Sequence, residues 1–341
     1  MFKLGGMAMS LLYVNEDGTL IGIDGNRLAV KYSDGLLRSV PIETVDSITI
    51  LGQAQLTTQC IRTCLERGIP VAFFSKGGRY FGHLHSTGHV DAALQRKQSF
   101  LYDRDFAFRL SKRLISAKMK NQIVVLRRYE KSTGSDVSRQ IRMMGICLHK
   151  TDSCVTPSEL MGFEGQGAKA YFEGLAEVVE EEFRFQGRSR RPPLDEFNSM
   201  ISLGYSILMN EIYAVLEIKG LNPYFGFLHR DKEKHPTLAS DLMEEWRAVI
   251  VDSTVMSLIN GHEIQKEDFI INRDEPGCFL TRNGLKIFLN KLNNKLQTKT
   301  KYLNYVDYPV TFRQGIVLQT EALVKAITAE DDSLYRPIVI R

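Results

Sequence analysis

A change of hydrophobic period at Ser86-Thr87-Gly88-His89 constrains this chain more than any other feature. Before it, short runs rich in β-branched and aromatic residues occupy 11–14, 19–23, 28–32 and 47–51. Asp17-Gly18, Asp24-Gly25 and Asp34-Gly35 separate these runs and read as hairpin turns, because Gly supplies the positive φ that such turns need. One helix is expected over 57–67, closed by Gly68. Segments 69–74 and 79–84 then form a further strand pair around Gly77-Gly78. After the change, apolar residues recur every three to four positions over 90–131, 134–150, 157–185, 195–219, 237–260 and 281–297. The expected fold class is α+β: a small N-terminal β-rich domain (1–88) and a larger all-α catalytic domain (93–341), with 86–92 as linker.

At 341 residues the chain is long enough for two such cores. Hydrophobic residues at 43% and charged residues at 25% are ordinary for a soluble globular protein. The net charge of +4 names no partner. Its distribution is more informative, since residues 91–150 carry fourteen Lys/Arg against five Asp/Glu and residues 1–90 carry eight against seven. Such an excess fits a solvated helical face or a polyanion surface. Cys60, Cys64, Cys147, Cys154 and Cys278 are odd in number and scattered, so buried free thiols are expected. The apolar stretch near 9–14 is short and runs into Asn15-Glu16-Asp17, unlike a signal peptide. Segment 197–210 is the longest uncharged apolar run, and its fourteen residues suit a core helix rather than a membrane span. A cytoplasmic protein without membrane attachment is expected.

Three residues stand in settings that core packing does not explain: Glu164, His229 and Glu244. Glu164 shares a helical stripe with Leu160, Ala168, Tyr171, Leu175 and Val178, where an unpaired carboxylate would be costly. A salt bridge to an arginine would satisfy it as well as a ligand would. Gly162, Gly165, Gly167 and Gly174 crowd the same stretch. Each weakens a helix interior by about 1 kcal/mol relative to Ala, so close approach of backbone or ligand is expected there. His229 closes the apolar run 222–229 and precedes Arg230-Asp231-Lys232-Glu233-Lys234, a rim position that suits a ligand or a general base. A hydrogen-bonded structural histidine is the commoner case. Pro236-Thr237 opens a helix with Leu238, Leu242, Trp246 and Val249 as its buried stripe. Asp241, Glu244 and Ala248 share the neighbouring stripe, with Glu245 nearer the apolar margin. A solvated acidic face paired with Arg247 is the plain alternative. Two carboxylates and one imidazole suit Mg²⁺ or Mn²⁺, ions that serve phosphodiester chemistry. Arg188, Arg190, Arg230, Lys232 and Arg247 stand beside these residues and are the expected phosphate contacts.

The strings GFEGQGAKAYF (162–172), FNSMISLGYSIL (197–208), NPYFGFLHRDKEKHPTLASDLMEEWR (222–247) and FLTRNGLKIFL (279–289) resemble the CRISPR-associated integrase/endonuclease. This is the larger of the two proteins that insert new spacers into CRISPR arrays. The resemblance covers nearly the whole chain, and the Tyr335-Arg336-Pro337 ending looks most like the subtype I-C form. It implies Glu164, His229 and Glu244 as catalytic metal ligands, Asp241 as a supporting acid, and Asn198 as the residue opening the central helix. It also implies a homodimer built through the β domain and a small adaptation partner protein. Ser240 precedes Asp241 where an apolar residue is more usual, and Trp246 replaces a frequent Phe; neither is an implied ligand.

The expected function is that of a divalent-metal-dependent DNA endonuclease and integrase. A 3′-hydroxyl of incoming double-stranded DNA would attack a phosphodiester at the array, and water in its place would nick branched DNA. Two rivals remain open: a catalytically silent nucleic-acid-binding scaffold, and a related transposon-type integrase.

Overall fold

The structure is a computed structural model and describes residues 10–76, 78–84, 86–272 and 277–341. Gly77 of the expected Gly77-Gly78 turn lies outside them. The chain divides into two compact units, one up to His89 and one from Val90 to Arg341.

The first unit runs β1 (Ser10–Val14), β2 (Leu20–Asp24), β3 (Arg27–Lys31), β4 (Leu37–Pro41), β5 (Val45–Leu51), β6 (Gln55–Leu56), α1 (Thr58–Arg67), β7 (Val71–Phe74) and β8 (Tyr80–Leu84). These make two four-stranded sheets, ordered β1-β5-β7-β8 and β4-β3-β2-β6. Ile21, Leu28, Ile48 and Ile50 meet Cys60 and Cys64 of α1 in one core. Asp24-Gly25 and Asp34-Gly35 are strand-joining turns, with both glycines at positive φ. Asp17-Gly18 is not. The neighbour of β1 is β5, in parallel, so the chain must leave that sheet after β1 and cross to β2 in the other. The strand β4 escaped the sequence pattern because its outward residues are solvated along almost its whole length.

The second unit contains α2 (Ala92–Leu101), α3 (Asp105–Thr133), α4 (Ser138–Ser153), α5 (Pro157–Val178), α6 (Glu196–Ile218), α7 (Thr237–Met243), α8 (Ser253–Asn260), β9 (Phe269–Asn272), β10 (Gly277–Leu280), α9 (Arg282–Gln297), β11 (Lys299–Thr300), β12 (Val310–Thr311) and α10 (Phe312–Ala329). It is mostly helical, but the expectation of an all-α domain is corrected by two antiparallel pairs, β9 with β10 and β11 with β12. The run Phe269-Ile270-Ile271 is aromatic and β-branched and follows no helical stripe. The expected helix over 90–131 breaks between Leu101 and Asp105, where Arg104 is extended. The one expected over 157–185 stops at Val178, before Glu180-Glu181-Glu182, whose charges oppose the negative end of a helix. Helix α10 was not expected, although Thr311 and Gln314 form a reciprocal capping box at its start.

Three features of this unit position the site. Helix α6 is long and apolar enough to cross a bilayer, yet its Phe197, Met200, Ile201, Ile207 and Leu208 are buried inside the protein. Helix α5 lies close against α3: an added Cβ would come within 3.1 Å of Met119 at Gly167 and 3.0 Å of Leu126 at Gly174. Gly162 and Gly165, by contrast, face open space. Finally, the helix expected over 237–260 is interrupted. A π-helical stretch, Arg247–Asp252, joins α7 to α8. Such an insertion re-phases the side chains around it and often accompanies function.

Candidate active site

Asp241 and His229 form the first half of the site. Asp241, fully buried on α7, accepts from the backbone N–H groups of Phe227 (2.6 Å), Leu228 (2.8 Å) and His229 (3.0 Å). Its Oδ1 also lies 2.7 Å from His229 Nδ1. With Nδ1–H donating to the carboxylate, the Nε2 lone pair is left for a ligand, the usual way a second residue fixes a metal-binding tautomer. Burial lowers the imidazole pKa, but the Asp241 hydrogen bond and the charges of Asp241 and Glu244 outweigh it and leave it raised. The turn itself depends on Gly226, where a Cβ would stand 2.8 Å from Thr237 Cβ and 2.9 Å from Asp241 Oδ2. Asp241 thus holds both the His229 ring and the turn that carries it.

The second half is a chain of ion pairs. Lys118 of α3 is 7% exposed and contacts both Glu164 Oε1 and Glu244 Oε2, the latter at 2.7 Å. Glu244 is 3% exposed, and its Oε1 meets Arg247 at 3.0 Å. Glu164 is 17% exposed, at the edge of its stripe rather than within it. Burial pushes the Glu244 pKa up, yet Arg247 and Lys118 draw it down to about 2. Burial likewise lowers Lys118, and Glu244 with Glu164 raise it above its ordinary value. The partner of Glu164 is therefore a lysine, where an arginine had been the alternative. The acidic stripe of 241–248 is not a solvated face: Asp241, Glu244 and Ala248 are all buried.

Among the described residues no three His, Cys, Asp or Glu side chains stand close enough together to hold an ion as they are. The donor set nonetheless fits one. Glu244 Oε2 is buried, with the Lys118 ammonium against it at 2.7 Å. A buried carboxylate needs a cation to offset its charge, and a metal ion can supply one. Two carboxylates beside a tautomer-fixed imidazole are the chemistry that Mg²⁺ or Mn²⁺ accepts.

Lys118 and Asp252 were missed by the sequence pattern. Lys118 shares the buried stripe of Leu114, Ile115, Met119 and Gln122, and a lone lysine there was the available signal. Asp252 is buried and accepts from Tyr171 (2.8 Å) and Tyr205 (2.6 Å) hydroxyls. Both Arg188 and Arg247 lie over the Tyr205 ring, at 5.4 and 4.9 Å.

The five expected phosphate contacts divide. Arg190 and Lys232 are exposed. Arg230 is exposed but pairs with Asp103 at 3.1 Å. Arg247 is committed to Glu244, and Arg188 donates to Asn198 Oδ1 (2.6 Å) and the Ser189 carbonyl (2.6 Å). Asn198, buried at the start of α6, also donates to the Gly187 carbonyl, so it ties down the loop that carries Arg188 and Arg190.

Comparison with known proteins adds the family. Residues 12–294 match the family model described as CRISPR associated protein Cas1. The CRISPR-associated endonuclease Cas1 of Mycobacterium tuberculosis H37Rv is 40% identical over 324 residues, which span 94% of this chain and 95% of that one. A casposase bound to its integration product has the same fold, with a TM-score of 0.83 at 24% identity over 98% of this chain and 96% of that one. A chain of a Cas6-RT-Cas1--Cas2 complex also shares it, with a TM-score of 0.83 at 24% identity; 99% of this chain matches 37% of that longer one. With a family model matching most of its length and a close relative matching nearly all of it, the chain belongs to the Cas1 family of CRISPR-associated proteins.

Proposed function

We propose that this protein is a divalent-metal-dependent DNA integrase and endonuclease that inserts spacer DNA into a CRISPR array. Attack by the 3′-hydroxyl of incoming DNA on a phosphodiester at the array would form the new ester bond and release the old 3′-oxygen; water in its place gives nicking. The observation that carries this is the Asp241–His229 pair, which orients an imidazole near enough to Glu244 to be acted on by its charge. Glu164, His229 and Glu244 would hold Mg²⁺ or Mn²⁺, which when bound stabilises charge on the reacting phosphate and makes the attacking hydroxyl more nucleophilic. Asp241 orients His229, Arg247 holds Glu244 in place, and the exposed Arg190 and Lys232 engage DNA phosphates. A homodimer built through the β-rich unit, a small second adaptation protein and action in the cytoplasm complete the proposal, the partner in keeping with the Cas1–Cas2 complex named above.

The ion pairs of Lys118 and Arg247 favour a second possibility, a binding scaffold whose acids serve only to balance buried cations. Glu164→Ala separates the two. It leaves Glu244 to balance Lys118, so fold and DNA affinity should survive, while Mn²⁺-dependent strand transfer and plasmid nicking should fall by more than about 100-fold, as for loss of a metal ligand. A scaffold would show no EDTA-sensitive activity in the wild type and a lower melting temperature in the variant.

A further inference from the structure

Lys118 is the only cation that the structure places against both proposed carboxylate ligands among the described residues. It reaches them from α3, whereas Glu164 comes from α5 and Glu244 from the turn after α7. It touches Glu164 Oε1 and, at 2.7 Å, Glu244 Oε2. Glu244 does not depend on it, since Arg247 grips the other oxygen at 3.0 Å. A vacant acceptor also lies one helical turn along α3: Gln122 Oε1 is buried and accepts no hydrogen bond. The lysine thus bridges two carboxylates, one of which keeps a cation without it, and has a further acceptor within a turn.

We propose that Lys118 is a stand-in cation, which draws Glu164 and Glu244 together before a divalent ion arrives and must be displaced for that ion to bind. This rests on those two carboxylates being the ligands. An ammonium seated against these oxygens repels a divalent ion and occupies lone pairs it would use, so the lysine acts as an internal competitor. It raises the ion concentration at which the site loads and keeps two buried carboxylates from repelling each other until then. Lys118 is here a positioning residue whose effect is on loading of the site.

The test is Mn²⁺ binding to the intact chain without DNA, by isothermal titration and by the electron paramagnetic resonance signal of free Mn²⁺. Lys118→Met should bind Mn²⁺ about tenfold more tightly than wild type, as expected by mass action when a competitor is removed. Added Mn²⁺ should also raise its melting temperature by more. Unchanged or weaker binding would overturn the proposal, the weaker case meaning that the lysine organises the ligands without competing. Lys118→Arg keeps a competing cation and should bind Mn²⁺ no more tightly than wild type. It decides the matter if the methionine variant does not fold, and tighter binding by it overturns the proposal. Glu164→Gln is the control on the ligands. If it binds Mn²⁺ as wild type does, or if wild type binds none, the assignment of the metal site itself has failed and this inference falls with it.

Discussion

Glu244 and Glu245 are neighbours in the chain and end in opposite chemistry. Glu244 faces the cations Lys118 and Arg247 and is ionised, with its pKa drawn down to about 2. Glu245 faces the C-terminal tail, where the Tyr335 hydroxyl, the Ile338 N–H and the Gln319 amide donate to it; burial still pushes its pKa up to about 7. Asn121 of α3 closes that second cluster, donating to the Glu245 and Ile338 carbonyls and accepting from the Ile340 N–H. One region is built of charges that another cation could replace. The other is built of neutral donors that only a carboxylate or its isostere can satisfy. A buried acid backed by cations is thus a candidate ligand, and one backed by neutral donors is a structural pin.

The largest expected effect tests that division directly. Glu244→Gln should lower Mn²⁺-dependent strand transfer by more than about 100-fold, the scale of a lost metal ligand. Glu245→Gln should retain most of it. Equal losses in a strand-transfer assay would erase the distinction between the two regions. Asp241→Ala comes next, because it strands the buried N–H groups of Phe227, Leu228 and His229. The cost should be about 3 kcal/mol or more in urea unfolding, at 1–3 kcal/mol for each buried donor left without a partner. A change below about 1 kcal/mol would show that something else holds the histidine turn.

On the tail side, pH offers a sharper measurement. The folded-state pKa of Glu245, about 7, lies above its ordinary 4.5. Between those values the folded protein keeps a proton that the unfolded chain has released, so stability falls as pH rises through that window. Melting temperatures of wild type relative to Glu245→Gln should therefore drop by several degrees between pH 5 and pH 7.5 (roughly the span of the shift). A flat difference would mean that the three donors keep Glu245 ionised throughout. The smallest effect belongs to Tyr335→Phe, which removes one neutral donor and should cost about 1 kcal/mol with activity retained.

Much of this molecule is legible along the chain. The Asp-Gly dipeptides at 24–25 and 34–35, the Gly68 cap and the apolar spacing of α3 to α6 are local signals, and local signals survive folding. Asp17-Gly18 misled because a turn dipeptide sets the direction of the chain and says nothing about which strand lies alongside. The break between α2 and α3 and the missed α10 have the same origin, since periodicity reports a face and not what covers it.

The sequence by itself singled out Glu164, His229 and Glu244 by their settings, and the order of its motifs carries the family. Helical spacing alone did not separate the surroundings of Asp241, Glu244 and Glu245, three acids within five residues; only the resemblance gave the first two different expected roles. The tertiary structure set their surroundings: Lys118, far away in the chain, joins nearby Arg247 against Glu244, and Gln319 and Tyr335, also distant, meet Glu245. Asp241 found its partners in the turn 227–229. The physical reason is that a carboxylate's function is set by the charge and the donors around it, and in a folded chain those come from wherever the backbone returns.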